Sequence, residues 1–329
     1  MSKVVTLGEI MLRLSTENNN RIIQSNGFRA DYGGGEANVA VSLANFGIKS
    51  EFVTKLPENP LSESIFRYLK ANGVGTENIV LGGERLGTYY LEVGTSVRAS
   101  SVICDRKYSS FSTMDYEELT LNKILKDCKI LHLSGITPAL SESCRELTEK
   151  IIKRAKEMGV LISFDFNYRS KLWTLEEASP VLTSYLPYID ICFAGILDGK
   201  NIMKLDVQGD VEDYYKEITK KYPNIKYLMC TKRETHSVDE NSLIGYLYKD
   251  GKLYHSKKYT FTIVDRVGGG DAFAAGALYG IYYDLDPQNI VDFATGASVY
   301  KHTVRGDANL ASVDEIETLI NRGIQSVAR

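Results

Sequence analysis

Residues 265–271 read DRVGGGD and are followed at once by the small-residue run AFAAGA at 272–277. The three glycines, Gly268, Gly269 and Gly270, let backbone N–H groups turn toward a ligand because no Cβ is in the way. A helix that begins here adds unpaired N–H groups and a partial positive charge, so the stretch predicts an anion site. The carboxylate of Asp271 would repel a bound phosphate, and it makes chemical sense there if it takes a proton from a hydroxyl that attacks the phosphorus.

The stretch differs from the two common nucleotide-binding fingerprints. The sequence contains no G-x-x-x-x-G-K-[ST], which excludes a P-loop enzyme. After the first predicted strand the chain reads Leu7-Gly8-Glu9-Ile10, which does not fit G-x-G-x-x-G. On physical grounds alone, a glycine-rich turn with a capping aspartate is the plain alternative for residues 265–271.

Composition narrows the class of protein. The 329 residues are 43% hydrophobic and 25% charged, with a net charge of −3, and no basic run points to nucleic acid. The five cysteines are scattered without a C-x-x-C, which indicates reduced thiols. The chain opens with an apolar strand and shows neither a signal peptide nor an apolar run of membrane-spanning length. We therefore expect a cytoplasmic enzyme without a membrane partner.

Short apolar runs alternate with helical spacing along most of the chain. Apolar runs bounded by turns predict strands at 4–8, 52–55, 130–134, 161–165, 191–194 and 227–231, and helical patterns stopped by glycine occupy 36–46, 61–72 and 141–158. Strands buried on both faces and alternating with helices predict a mostly parallel α/β sheet. Ligands of such sheets bind beyond the carboxyl ends of the strands. We expect one domain over residues 1–329.

Two segments interrupt this alternation. Residues 87–112 contain two β-rich runs in succession, and residues 11–32 are polar and irregular. Together they predict a small antiparallel sheet that serves as a lid, with an immobile edge hairpin as the alternative. A later hairpin is predicted around Asp250-Gly251, a favourable turn pair. The four histidines show no metal-binding spacing and are interpreted as structural.

The DRVGGGD stretch resembles the second signature of the ribokinase-like (PfkB) carbohydrate kinases, D-[TS]-x-G-[AG]-G-D. The GGGEANVA run at 33–40 resembles the first signature of that family, in the expected order. The resemblance covers nearly the whole chain. It implies a ribokinase-like three-layer sandwich with a β-sheet lid, and a kinase that uses ATP and Mg²⁺.

Within that family the chain is most similar to the branch that phosphorylates 2-keto-3-deoxygluconate. The DFNYRSKLW run at 165–173 resembles the branch's D-x-N-x-R-x-x-L-W, although Arg266 replaces the usual Thr or Ser. The resemblance implies that Arg169 clamps the transferred phosphate and that Arg106 lies at the end of a lid strand. Two arginines that converge on one small ligand suit an anionic sugar acid, because a guanidinium binds a carboxylate through two parallel hydrogen bonds.

The resemblance also assigns the remaining site residues, each of which has an ordinary structural alternative. Asp271 is the implied base, supported by Gly268, Gly269, Gly270 and Arg169. The implied sugar contacts are Gly34, Gly35, Asn38, Tyr90, Cys104, Arg106, Arg169, Asp271 and Asp307. The implied nucleotide contacts are Asn167, Arg169, Thr231, Arg233, Gly268, Gly269 and Gly270. For Asp307 the alternative is a solvated loop, for Asn38 a helix cap, and for Arg169 a surface ion pair.

Two family motifs are altered here. The N-x-x-E of most members reads Gly195-Ile196-Leu197-Asp198, so Asp198 stands in for the glutamate toward Mg²⁺ and the asparagine is lost. The K-x-G-x-x-G of the nucleotide strand reads KRETH after Thr231, without either glycine. A sugar-binding regulatory homologue that has lost catalysis is therefore one alternative function.

The resemblance implies transfer of the γ-phosphoryl group of ATP to the C6 hydroxyl of 2-keto-3-deoxygluconate, with 2-keto-3-deoxy-6-phosphogluconate as product. A kinase for a neutral sugar such as fructose, or for a nucleoside, is the rival within the class. The family analogy also implies a homo-oligomer. The sequence leaves open the gluconate or galactonate epimer and whether a potassium-type ion assists the anion site.

Overall fold

The computed structural model describes residues 2–322, and within that range the chain forms two β-sheets flanked by helices. The strands are β1 Lys3–Leu7, β2 Met11–Ser15, β3 Arg29–Gly33, β4 Ser50–Leu56, β5 Ile79–Leu81, β6 Thr88–Glu92, β7 Ser101–Asp105, β8 Cys128–Ser134, β9 Leu161–Asp165, β10 Ile191–Phe193, β11 Tyr227–Thr235, β12 Glu240–Lys249, β13 Lys252–His255 and β14 Tyr259–Thr262. The helices are α1 Gly35–Asn45, α2 Pro60–Ala71, α3 Leu121–Leu125, α4 Thr137–Leu140, α5 Glu142–Glu157, α6 Leu175–Tyr185, α7 Ile196–Asn201, α8 Val211–Lys221, α9 Gly269–Tyr282, α10 Pro287–Lys301 and α11 Val313–Arg322.

The larger sheet is mostly parallel, as the sequence predicts. Its order is β13-β12-β11-β10-β9-β8-β1-β4-β5, with β14 paired to β12. Pairing is parallel from β11 through β5 and antiparallel from β11 to β13. The carboxyl ends of the parallel strands therefore lie along one edge, where ligands of such sheets bind.

Both faces of this sheet are covered, which explains its continuous apolar strands. In β1, Val4 packs into one core and Val5 into another, because successive side chains point to opposite faces. β8 repeats the pattern with Ile130 and Leu131. Trp173, the only tryptophan, is buried in one of these cores, as expected of a packing residue.

Helices α9 and α10 pack closely because small residues line their interface. A Cβ at Gly276 would lie 2.7 Å from the Cα of Ala294, so only glycine permits this approach. α1 packs against α9 as well, and its Val39 and Leu43 share one core with Ala274 of α9. The small-residue run after the glycine turn thus sets the position of α9, and with it the position of Asp271.

The smaller sheet has the order β3-β2-β6-β7 and contains both segments predicted for it. The prediction that it is antiparallel is wrong for one pair, because β2 and β6 run parallel. The long excursion between β2 and β6 through α1 and α2 allows this arrangement, since a parallel pair needs a crossover connection. Strand β7 lies at the edge and is exposed along its whole length.

The predicted late hairpin is present between β12 and β13. Asp250 and Gly251 have φ values of 50° and 78°, the left-handed pair that a tight two-residue turn requires. Strand β14 returns to pair with the first half of β12 and has no separate signal in the sequence. No helix in residues 2–322 combines the length and the apolar character needed to cross a membrane.

Candidate active site

Asp271 lies in the first turn of α9, directly after the glycine turn. The first intrahelical bond runs from the N–H of Ala272 to the carbonyl of Gly268 at 2.9 Å, so the N–H groups of Gly269, Gly270 and Asp271 precede the helical ladder. Asn38 Nδ2 donates to Asp271 Oδ2 at 2.7 Å and fixes the carboxylate. Burial raises the pKa of Asp271 to about 6, against the opposing effects of the Asn38 bond and Arg169.

The three glycines of the turn differ in what a side chain at each position would meet. Gly268 has a φ of 82°, and a Cβ there would lie 1.7 Å from the carbonyl oxygen of Asp307. A Cβ at Gly269 would meet the ring of His302 at 2.2 Å. A Cβ at Gly270 meets nothing within 4 Å, because this residue faces an open cavity. The turn is therefore tightly held from behind and open in front, as an anion site requires.

The first signature approaches Asp271 from the opposite side. A Cβ at Gly34 would lie 1.9 Å from the carbonyl oxygen of Glu9, so the backbone segments touch there. A Cβ at Gly35 would lie 3.6 Å from both Asp271 Oδ1 and Asn167 Nδ2. The structure thus brings Gly35, Asn38, Asn167 and Asp271 together. Asn38 lies in the first turns of α1, where its Oδ1 accepts from the N–H of the N-cap residue Gly34 at 3.4 Å while its Nδ2 binds Asp271, so it serves both the helix start and the site.

A cavity of about 850 Å³ opens on the other side of Asp271, at the carboxyl ends of β9, β10 and β11. It contains several predicted nucleotide contacts: Thr231, Arg233 and Gly270. Asp165 and Asp198 also line it, together with the apolar side chains of Phe193 and Leu253. The altered K-x-G-x-x-G segment therefore still lies along this cavity. Its volume is in the range of small-molecule sites.

Arg233 is held at this cavity by His302, one of the four histidines for which the sequence predicts only a structural role. Arg233 Nη2 lies 3.1 Å from His302 Nε2, and His302 Nδ1 lies 2.6 Å from the Ser298 carbonyl oxygen. The Ser298 carbonyl can only accept and the Arg233 guanidinium can only donate. His302 therefore donates through Nδ1 and accepts through Nε2. Burial lowers the pKa of His302 to about 4, which keeps the ring neutral. Its spacing in the sequence gave no signal for this role.

Asp165 and Asp198 give the cavity two carboxylates that form no salt bridge within residues 2–322. Burial raises the pKa of Asp165 to about 7; the negative charges of Asp271 and Asp198 add to the shift, and the positive charge of Arg169 opposes it. Burial also raises the pKa of Asp198, whose Oδ2 accepts from the Gly195 N–H at 2.8 Å. Carboxylates under mutual repulsion favour a divalent cation, so this pair fits Mg²⁺. Among residues 2–322, no three His, Cys, Asp or Glu side chains converge on one metal position.

The two predicted arginines differ in how they are paired. Arg169 is exposed, and its Nη1 donates to the carbonyls of Asn167 and Tyr168 at 3.3 and 3.2 Å. No ion pair of Arg169 occurs in the described part of the chain, so the surface ion-pair alternative is wrong. Arg106 instead binds Glu9 through Nε at 2.8 Å and also through Nη2. Glu9 is buried, and its Oε1 has no partner among the described residues.

Tyr90 and Cys104 do not lie on the same face of the small sheet. In the register of β6 and β7, Tyr89 lies opposite Cys104 and Tyr90 lies opposite Ile103. Because opposed residues point to the same side, Tyr90 and Cys104 point to opposite sides. A sugar on one face therefore meets only one of these two side chains, and the other residue offers it only backbone groups. Tyr90 packs edge-on against Phe28 with ring centroids 5.7 Å apart.

Asp307 is not in a solvated loop: its carboxylate is paired within the protein, and the residue lines a small cavity of about 200 Å³. It is buried, and Arg13 Nη1 donates to its Oδ1 at 2.5 Å. The hydroxyl of Tyr89 donates to its Oδ2. Arg13 Nη2 also donates to Asp265 Oδ2 at 2.7 Å. The carboxylate of Asp307 thus belongs to a buried ion-pair cluster behind the glycine turn, for which the sequence carries no local signal.

Comparison with known proteins agrees with this geometry. Residues 1–313 match the family described as "pfkB family carbohydrate kinase". A 2-dehydro-3-deoxygalactonokinase of Haloferax volcanii is 30% identical over 328 residues, which is 100% of this chain and 99% of that protein. The crystal structure of a 2-dehydro-3-deoxygluconokinase from Thermotoga maritima superposes with a TM-score of 0.94 at 42% identity, over 97% of this chain and 99% of that one.

A more distant structure shows the same fold with its ligands bound. It is a putative ribokinase II from E. coli in complex with ATP and Mg²⁺, with a TM-score of 0.84 at 20% identity. The match covers 98% of this chain and 100% of that one. The predicted ribokinase-like three-layer architecture with a second, small sheet is therefore confirmed.

Proposed function

This chain belongs to the pfkB family of carbohydrate kinases, which use ATP with Mg²⁺, and we propose that its substrate is 2-keto-3-deoxygluconate, phosphorylated on the C6 hydroxyl. The observation that carries the proposal is the place of Asp271. Its carboxylate is fixed by Asn38 beside the first signature, and the preceding residue of the glycine turn, Gly270, lines the 850 Å³ cavity. The names of the relatives from Haloferax and Thermotoga favour a keto-deoxy sugar acid.

Asp271 acts as the general base in this proposal. The C6 hydroxyl of the sugar donates its proton to the Asp271 carboxylate as its oxygen attacks the γ-phosphorus of ATP in line. ADP leaves toward the cavity side. With a pKa of about 6, the carboxylate is ionised at neutral pH and close to the value that makes proton transfer efficient.

Negative charge on the transferring group is stabilised by fixed donors. The free N–H groups at the start of α9 point toward the position of the anion, and no side chain fills the space in front of Gly270. The guanidinium of Arg169 forms no salt bridge among the described residues and supplies a positive charge close to Asp271. When bound with ATP, Mg²⁺ neutralises charge on the β- and γ-phosphates. Asp165 and Asp198 are the residues that would hold it through water.

Arg106 is proposed to bind the sugar carboxylate. A guanidinium has five N–H donors, and Glu9 takes only two of them in this structure. The remaining edge is free to bind a second carboxylate through parallel hydrogen bonds. The small sheet that carries Arg106, over residues 11–32 and 87–112, is proposed to act as the lid that excludes water. Its exposed edge strand β7 is the surface through which we propose that copies of the chain associate.

One observation favours a neutral sugar instead. Arg106 and Glu9 neutralise each other, and the unsatisfied Oε1 of Glu9 would accept a sugar hydroxyl readily. A kinase for fructose or ribose would tolerate that arrangement, whereas a sugar acid must share the arginine with a carboxylate already present.

The experiment that separates these candidates is an ADP-release assay over a substrate panel. The panel holds 2-keto-3-deoxygluconate, 2-keto-3-deoxygalactonate, fructose and ribose, each with ATP and Mg²⁺. We expect kcat/KM for a keto-deoxy acid to exceed that of the neutral sugars by about 100-fold or more, since a bidentate carboxylate contact is lost with the latter. Equal or higher kcat/KM with fructose would reject the sugar-acid assignment. If none of the sugars in the panel gives ADP release, a regulatory homologue is favoured.

A further inference from the structure

Lys301, the last residue of α10, is completely buried directly behind the glycine turn. Its Nζ donates to two backbone carbonyls, those of Asp265 at 3.3 Å and Val304 at 3.4 Å. No carboxylate forms a salt bridge with it in the described part of the chain. A buried ammonium without a direct counterion is costly, because its desolvation must be offset by fixed dipoles and nearby charges.

The surroundings supply those charges at a short distance. Arg13 forms ion pairs with both Asp265 and Asp307, so two acids face one arginine in this cluster. Lys301 adds the second positive charge and makes the group of four neutral. Burial lowers the pKa of Lys301, and the nearby Asp265 and Asp307 oppose that shift. Without Lys301, one negative charge would remain uncompensated behind an anion site.

Lys301 is also in contact with the turn itself. Its Cε would lie 3.3 Å from a Cβ placed on Gly268, the residue that begins the turn. The Asp265 carbonyl that it binds lies three residues before Gly268. The positive charge of Lys301 is close enough to favour the ionised form of Asp271. The ammonium therefore both holds the start of the turn and acts electrostatically on the group that takes the proton.

We propose that Lys301 is a positioning residue that serves as a tethered internal cation. Its ammonium occupies a hole lined by main-chain carbonyls, which is a setting that suits a free monovalent ion, and it stabilises the turn that receives the phosphoryl group. The chain consequently needs no added potassium or ammonium ion for phosphoryl transfer. This inference rests on the kinase activity and not on the identity of the sugar.

The test compares the wild-type enzyme with Lys301→Met, which removes the charge and keeps most of the volume. Each is assayed with whichever sugar of the panel is phosphorylated, in about 100 mM tetramethylammonium, potassium or ammonium chloride. Tetramethylammonium keeps the ionic strength and is too large for the hole. Lys3→Met is the matched control, because Lys3 is also buried but is ion-paired with Glu51 in β4, away from the turn.

We expect wild-type kcat to change by less than about twofold among the three salts, and Lys301→Met to lose about 100-fold in tetramethylammonium. Potassium or ammonium should restore at least about tenfold in Lys301→Met and nothing in Lys3→Met. A second readout needs no substrate. Potassium should raise the melting temperature of Lys301→Met by about 2 °C or more and leave that of the wild type unchanged, since a filled hole stabilises the fold.

Three results would overturn the proposal. One is a wild-type kcat that rises strongly with potassium, because the enzyme would then take a free ion. Another is full activity of Lys301→Met in tetramethylammonium. The third is a loss of activity in Lys301→Met that neither cation restores, which would mark Lys301 as a packing residue only. If Lys301→Met does not fold, the salt dependence of the wild type decides alone.

Discussion

The two sides of Asp271 differ in how completely their charges are paired. On the side of the first signature, Asn38 binds Asp271, and Glu9 binds Arg106. On the cavity side, Asp165, Asp198 and Arg169 form no salt bridge within the described residues, although the charge of Arg169 acts on Asp165. The sugar side is preorganised by bonds within the protein, whereas the nucleotide side leaves charges for a ligand to satisfy.

This difference explains where the raised pKa values lie. Asp165 and Asp198 lie on the incomplete side, and burial with mutual repulsion raises the pKa of the first to about 7. Such a site gains most from a ligand that brings both a metal cation and phosphates. The completed side gains from a ligand whose hydrogen bonds fit groups that are already oriented. Asp271 lies at the boundary and serves both ligands.

The largest effect is expected at that boundary. Asp271→Asn keeps an oxygen for the Asn38 amide and removes the base, so kcat should fall by about 10³-fold or more. The melting temperature should not fall, because the substitution removes a carboxylate whose burial disfavours its charge. Rapid-quench measurement of sugar phosphate formation, with thermal melting as the folding check, tests both statements. Near wild-type turnover of Asp271→Asn would contradict the distinction between the sugar side and the nucleotide side of this residue.

A smaller effect is expected from the paired arginine of the sugar side. Arg106→Met should raise KM for a keto-deoxy acid by about 10- to 100-fold with little change in kcat, because a ground-state contact is lost. It should leave KM for ATP unchanged. Steady-state kinetics with each substrate varied in turn measures the separation.

Arg85→Met is the matched control for Arg106→Met, since Arg85 pairs with Asp105 at the neighbouring position and is partly exposed. We expect it to behave as the wild type. If Arg106→Met alters KM for ATP as much as KM for the sugar acid, the division into two differently paired sides is wrong.

Much of the fold follows from local sequence signals. Apolar runs buried on both faces predicted the parallel sheet, and Asp250-Gly251 predicted a turn whose φ values need those residue types. The glycine turn and Asp271 were also readable, because three glycines before a small-residue helix have few other physical explanations. The parallel pairing of β2 and β6 could not be predicted, because it depends on the crossover connection between the two strands and not on the local alternation of apolar and polar residues.

The charged groups behind the glycine turn could not be predicted from the sequence. Arg13 and Asp307 are 294 residues apart, and nothing in their local pattern indicates a buried ion pair. The same holds for Lys301 and His302 at the end of α10, which look like an ordinary basic helix terminus until the fold places them against Gly268 and Gly269. The sequence predicts Arg106 as a ligand contact, but only the structure shows that Arg106 also binds Glu9.

The pH dependence of kcat/KM tests the role of Asp271 most directly. A base must be ionised, so activity should be constant above a pKa of about 6 and fall about tenfold per pH unit below it. Asp165→Asn should keep that acidic limb, and the residual activity of Asp271→Asn should lack it. A wild-type profile that stays flat to pH 5, or a limb near pH 6 that persists in Asp271→Asn, would contradict the assignment of Asp271 as the base.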